Sequence, residues 1–226
     1  MKYILTDIEG TTTSISFVHD TLFPFAKKKL TAFIANNLDN SEVQNILDQT
    51  KNTAFEENQK IINNDEACEL LLDWITIDRK HPALKNLQGL IWEEGYRSGA
   101  IKGHIYKDVL PALKAWTKKG LTLGVYSSGS VKAQHLIFEF SIEGNLKPYF
   151  KNNFDTAIGH KREVDSYVKI ASQLGLLPEE ILFLSDIKEE LDAASAAGLK
   201  TIQLVRQPNV IIGDHKTVSN FGAIEF

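Results

Sequence analysis

The chain has 226 residues, which suits one large domain or a domain carrying a sizeable insertion. Hydrophobic residues make up 43% and the net charge is −4, which excludes a disordered chain, and no basic stripe points to nucleic acid as a partner. A single cysteine, Cys68, excludes an internal disulfide and fits a reducing compartment.

The opening "MKYILTDIEG" lacks the long apolar core of a signal peptide, and no run of 18 apolar residues follows, so a soluble cytoplasmic protein is expected. The first strand is expected at 2–7, "KYILTD". A parallel crossover needs about a dozen residues, yet about ninety separate Thr11 from Gly103 with almost no strand signal. That stretch reads as helices: "PFAKKKLTAFIANNL", "SEVQNILDQTKNTAFEENQKII", "DEACELLLDWITIDRK" and "PALKNLQGLIWEEGYRSG". Pro24 and Pro82 suit helix starts, where a missing N–H costs nothing. Beyond it, strands are expected at 121–128, 154–159, 181–186 and 200–205, alternating with helical patterns. Three of those helices stop at Gly120, Gly175 and Gly198. Alternation of this kind predicts a parallel sheet flanked by helices, with a helical subdomain inserted after strand 1.

In open α/β sheets, ligands bind outside the carboxyl ends of the strands. Strand 1 ends in Asp7 with Glu9 beyond it, strand 2 ends in "SSGS" at 127–130, and the fourth ends in Ser185-Asp186. Lys161 follows the weak third strand on the same edge. Three carboxylates brought together repel one another, and a hard divalent cation resolves the conflict, because Mg²⁺ takes carboxylate oxygens, water and substrate phosphate. The small residues of "YSSGS" let the backbone approach an anion, and the helix from about Val131 is expected to aim its N-terminal amides there. Lys161 supplies a positive point charge for phosphate. Together these parts specify phosphoryl transfer: a carboxylate attacks phosphorus while Mg²⁺, hydroxyls and lysine stabilise the equatorial oxygens.

Asp7 with an acid two residues on, Ser127, Lys161 and "SD" at 185–186 resemble, in order and spacing, the four motifs of the haloacid dehalogenase (HAD) superfamily. Most phosphatases of that superfamily carry Asp in the second acid position, where this chain has Glu9. With "DIEGTTT", "YSSGSVKAQ", "GHKREVDSY" and "FLSDIKEELDAASAAG", the likeness narrows to the enolase-phosphatase (acireductone synthase) family of methionine salvage, over about residues 2–206. The resemblance implies a Rossmann-like (HAD-like) α/β core from 1–16 plus 104–226, with an all-helical cap at 17–103 that acts as a lid. It implies an Mg²⁺-dependent enzyme, one ion per subunit. Such an enzyme enolises 2,3-diketo-5-methylthiopentyl-1-phosphate and then dephosphorylates it to the acireductone 1,2-dihydroxy-3-keto-5-methylthiopentene. By position, Asp7, Glu9 and Asp186 match the family's metal ligands, Ser127, Ser128 and Lys161 its substrate-binding residues, and Asp7 the nucleophile. Three roles stay open to Glu9: coordinating Mg²⁺, shuttling a proton, or serving enolisation.

The alternative enzyme reading is a HAD-type phosphatase acting on another small phosphate ester. A receiver domain shares the Asp, hydroxyl, lysine and Mg²⁺ chemistry but lacks a large insertion. A monomer binding a small-molecule phosphate ester, with no nucleic acid and no membrane, is expected. The six histidines show no metal-ligand spacing, and Cys68, Trp74, Trp92, Tyr96 and Trp116 read as core. Glu189 and Glu190 follow Asp186 by one helical turn, placed for one of them to orient the site.

Overall fold

The computed structural model describes residues 1–225. In chain order, β1 (Tyr3–Thr6) leads through the short turn α1 (Ile15–Phe17) to α2 (Phe23–Asn36), α3 (Ser41–Asn58), α4 (Asn64–Thr76) and α5 (Pro82–Arg97). The chain continues through α6 (Val109–Lys118), β2 (Thr122–Tyr126), α7 (Val131–Glu139), β3 (Phe150–Phe154) and α8 (Val164–Leu174). It ends with β4 (Ile181–Ser185), α9 (Lys188–Ala196), β5 (Lys200–Leu204) and β6 (Lys216–Val218). Two compact units result: Ser16–Ile101 is all-helical, and Met1–Ile15 with the chain from Lys102 onward carries the sheet. No helix among the described residues is long and apolar enough to cross a membrane.

The sheet is parallel throughout, in the order β3-β2-β1-β4-β5-β6. β1 lies between β2 and β4, with Tyr3 opposite both Thr122 and Ile181, and all four of its residues are buried. A strand covered on both faces needs a continuous apolar run rather than alternation, which "YILT" and "ILFLS" supply. Tyr3, Leu5, Ile181 and Phe183 pack with Tyr167 and Ile170 of α8 and Leu191 and Ala194 of α9 into one core cluster. From β1 the chain steps to β2 and β3, whereas from β4 it steps to β5 and β6. The crevice outside the carboxyl ends of β1 and β4 is therefore the topological switch point.

The third strand lies at Phe150–Phe154, upstream of the expected 154–159. As an edge strand covered on one side it carries polar residues: Asn152 accepts from the Tyr3 hydroxyl at 3.0 Å, and Asn153 donates to Gln134 at 2.9 Å. Its register shifts between Leu123 and Gly124, so the apolar period is broken where a strand signal was sought. β6, polar and three residues long, forms the other edge and gave no signal for the same reason.

In the helical unit, Leu30, Val43, Leu47, Leu71, Trp74, Leu84 and Leu87 form a core of their own. Asn40 caps α3, Asn63 and Glu66 form a reciprocal capping box on α4, and His81 caps α5. Each such cap contributes about 1 kcal/mol. α3 stops at Asn58, because Gln59 turns left-handed at φ 54°, short of the expected end. Cys68, Trp74 and Tyr96 are buried here, as Trp116 is in the sheet unit, while Trp92 is half-buried and donates to the Leu22 carbonyl at 2.9 Å.

Candidate active site

"DIEGTTT" closes on itself directly after β1. The Asp7 amide donates to the Leu184 carbonyl at 2.8 Å, which holds the strand end against β4. The Ile8 carbonyl then accepts from the amides of Thr11, Thr12 and Thr13, and the Gly10 amide donates to the Thr13 carbonyl at 2.8 Å. Gly10 sits at φ 75°, where a side chain is strained, and a Cβ there would strike the Asp186 carboxylate. The three threonines are fully buried beneath this turn.

The charge of Asp7 acts on Asp186, which follows β4, and on Glu9 beyond the strand end. Asp7 and Asp186 are 3% and 4% exposed, so the carboxyls share space from which water is almost excluded. Lys161 reaches between the strand ends, its Nζ 2.5 Å from Asp7 Oδ1 and 2.7 Å from Glu190 Oε2. The Ser185 hydroxyl donates to Glu190 at 2.9 Å, and the Ser127 hydroxyl donates to Glu9 Oε2 at 3.2 Å. Ser127 Oγ also accepts from the Gly129 amide at 3.1 Å. Ser128 is exposed at the same strand end and pairs with none of these groups. The Tyr167 hydroxyl donates to the Lys161 carbonyl at 2.6 Å and fixes the loop that carries the lysine.

The helix following "SSGS" offers less to an anion than expected. The Val131 amide donates to Asp155 Oδ2 at 3.3 Å, and the Ala133 amide donates to Ser130 Oγ at 3.3 Å. A carboxylate of the chain thus takes the place at the α7 N-terminus that the sequence reading gave to phosphate.

Four carboxyls, Asp7, Glu9, Asp186 and Glu190, face the single ammonium of Lys161. Burial, then the charge of Asp7, pushes Asp186 up to about 7, and the same two causes in the same order push Glu190 up to about 7. Burial and then Asp7 also raise Glu9, against the lowering pull of Lys161 and Ser127. For Lys161, burial favours the neutral amine, but Asp7 and Glu190 outweigh it and hold the ammonium charged well above the usual lysine range. This donor set fits a hard cation. It is all oxygen and short of positive charge, and Mg²⁺ asks for only one or two carboxylates beside water and phosphate. Among the described residues no three His, Cys, Asp or Glu side chains, Asp7, Glu9 and Asp186 included, are grouped as a metal shell.

Of the pair flagged one turn after Asp186, Glu190 is the residue that enters the site. Thr11 and Arg206 went unseen in the sequence, although Arg206 lies only two residues past the end of β5. Thr11 Oγ1 lies 3.5 Å from Asp186 Oδ1, and Arg206 donates from Nε to the Thr11 carbonyl at 2.7 Å.

The raised Asp186 carboxyl has a consequence for stability. Its folded value lies above the unfolded one, so its contribution is fully present below about pH 4 and is lost as pH rises through about 7. In the presence of a chelator, Asp186→Asn should melt above wild type at pH 8, with the advantage shrinking toward pH 5. Thermal melts at the two pH values check this, and a lower melting temperature at both would contradict it.

Residues 1–198 match the family model described as haloacid dehalogenase-like hydrolase. The chain is 48% identical to Enolase-phosphatase E1 of Azotobacter vinelandii over 225 residues, covering 100% of this chain and 97% of that one. It is 47% identical to Enolase-phosphatase E1 of a Picosynechococcus species, covering 99% of this chain and 98% of the other. Among solved structures, the UTR4 protein of Saccharomyces cerevisiae superposes with a TM-score of 0.81 at 35% identity, over 99% of both chains. CbbY from Rhodobacter sphaeroides, at 16% identity and a TM-score of 0.60 over 99% of this chain and 96% of that one, shares the fold. The chain belongs to the haloacid dehalogenase-like hydrolases and, within them, to the enolase-phosphatase E1 family.

Proposed function

We propose that the chain is an Mg²⁺-dependent enolase-phosphatase of methionine salvage, converting 2,3-diketo-5-methylthiopentyl-1-phosphate to 1,2-dihydroxy-3-keto-5-methylthiopentene and phosphate. The observation that carries this reading is the convergence of Asp7, Glu9, Asp186 and Lys161 at the carboxyl ends of β1 and β4, with glutamate in the second acid position. The names of relatives 48% identical over the whole chain support it. The helical unit Ser16–Ile101 is read as the cap, and the chain as a cytoplasmic monomer acting on a free small-molecule ester.

Asp7 and Asp186, with Glu9 beside them, would hold Mg²⁺, which when bound supplies Lewis-acid stabilisation of charge on the phosphoryl oxygens. Lys161 grips Asp7 through Oδ1, leaving Oδ2 as the oxygen that attacks phosphorus. Its ammonium is held charged, so it cannot be the base of the enolisation step and serves instead to stabilise negative charge. Ser127 and Ser128 offer hydroxyls to the phosphoryl group. Glu9, raised by burial and by Asp7, suits the proton-carrying role. It takes the C1 proton between carbonyl and ester and passes it to the C2 oxygen, completing the enol. Attack by Asp7 then breaks the ester P–O bond, the leaving oxygen takes a proton from water, and the resulting hydroxide cleaves the aspartyl phosphate to free phosphate.

Incubation with the diketo phosphate, with and without chelator, tests the activity. Enediol absorbance and free phosphate should rise together with Mg²⁺ and both should vanish with chelator. Phosphate without enediol would contradict the assignment and favour a phosphatase for another small ester. Glu9→Gln separates the roles of Glu9. Turnover should fall about 10²–10⁴-fold, while Mg²⁺ affinity, read by titration calorimetry, changes less than about tenfold. Mg²⁺ affinity falling in step with turnover would make Glu9 a metal ligand before a proton carrier.

A further inference from the structure

Arg206 stands just past β5 on the same sheet edge as Asp7 and Asp186, and its side chain is 5% exposed. Each of its three nitrogens donates a hydrogen bond. Nε donates to the Thr11 carbonyl at 2.7 Å, and the two terminal nitrogens donate to Asp108 Oδ1 at 2.9 Å and Oδ2 at 2.8 Å. The guanidinium lies 4.1 Å over the ring of Tyr106, and Asp108 Oδ2 also accepts from the Phe221 amide at 2.7 Å. Neighbouring groups complete the grip. The Tyr106 amide donates to the Thr12 carbonyl at 3.1 Å, and His104 Nδ1 accepts from the Ser14 amide at 3.1 Å and meets Thr13 Oγ1 at 3.0 Å. Every residue from Thr11 to Ser14 is thus held from behind by the segment 104–108 or by Arg206.

The opposite face of the same turn is the reactive one. There Thr11 Oγ1 meets Asp186 Oδ1 at 3.5 Å, and Gly10 packs against the Asp186 carboxylate with no space for a methyl group. A displacement of Thr11 would therefore move the wall against which Asp186 rests. A misplacement of about 1 Å at a reacting centre can cost about 10²-fold in rate. A buried ion pair serving stability alone needs only Asp108. The third bond, to a main-chain carbonyl of the turn that carries Asp7 and Glu9, is what a positioning role requires. Lysine does not reproduce its geometry, because three donors on one nitrogen lack the planar fork that meets both carboxylate oxygens in parallel with the carbonyl beside them.

We infer that Arg206, braced by Asp108, is a positioning residue that sets the spacing between the Asp7–Thr13 turn and Asp186, and thereby the affinity of the site for Mg²⁺. This rests on the function proposed above. The test uses the full chain carrying Arg206→Lys, Asp108→Asn or both, with thermal melting, calorimetric Mg²⁺ titration in the absence of substrate, and steady-state kinetics. Each single variant should still unfold in one cooperative transition, melting within about 20 °C of wild type, so affinity and rate are read on folded protein below the melt. Each should bind Mg²⁺ about tenfold more weakly and lose about 10–100-fold in kcat with KM within about threefold. The double variant should be no worse than the poorer single one, since both changes break one unit. Wild-type Mg²⁺ affinity and kcat per folded molecule in either single variant would overturn the inference, as would additive losses in the double variant. A wild-type chain that binds no Mg²⁺ would instead overturn the proposed function, and this inference with it.

Discussion

The structure depends on one buried ammonium. Lys161 bridges Asp7 and Glu190 at 2.5 and 2.7 Å in a site almost closed to water, and among the described residues it is the one cation paired with these carboxyls. Removing one partner of a buried pair typically costs about 3–5 kcal/mol, because the charge left behind has no water to answer it. Much of the surrounding architecture holds this lysine still. Tyr167 ties its carbonyl, and Ser185 turns Glu190 toward it. Yet burial, and then the charge of Asp7, outweigh that one ammonium at the remaining acids and push Asp186 and Glu190 up to about 7. A site that holds excess negative charge at some cost to folding is poised for a divalent cation and a phosphoryl group.

The fold makes that poise attainable. β1 and β4 are neighbours that lead in opposite directions across the sheet, which opens a crevice between their carboxyl ends. Their apolar runs bury completely and carry Asp7 and Asp186 to the same edge of the sheet, and Gly10 leaves the space that the Asp186 carboxylate fills. The cost of crowding acids is met by sheet and helix packing elsewhere, in the cluster joining Tyr3, Phe183, Tyr167 and Leu191.

The sequence disclosed what each strand presents at its own end. Asp7, Ser127 and Asp186 could be placed because apolar runs mark buried strands and the residue after such a run stands at the carboxyl edge, whereas Lys161, seven residues past β3, was placed by its order among the motifs. It did not disclose which partners side chains choose across the edge. Glu190 could be told from Glu189 only once Lys161 and Ser185 were seen to face it. Arg206 lies two residues past the end of β5, but its use lies in bonds to Thr11 and Asp108, which are remote in the chain. The α7 N-terminus was misread because Asp155, from the loop after an edge strand with no apolar period, reaches it first. Edge strands β3 and β6 are short or polar, so the signal that reveals buried strands is absent from them.

The central idea is that a divalent cation completes a carboxylate cluster that Lys161 alone leaves partly protonated. Binding should therefore drive protons off the raised carboxyls. Calorimetric titration of Mg²⁺ into the wild-type chain at pH 7, in two buffers of different ionisation enthalpy, measures that release directly. One site with release of about one proton per ion is expected. Saturable binding with no proton release, or no binding at all, would contradict it.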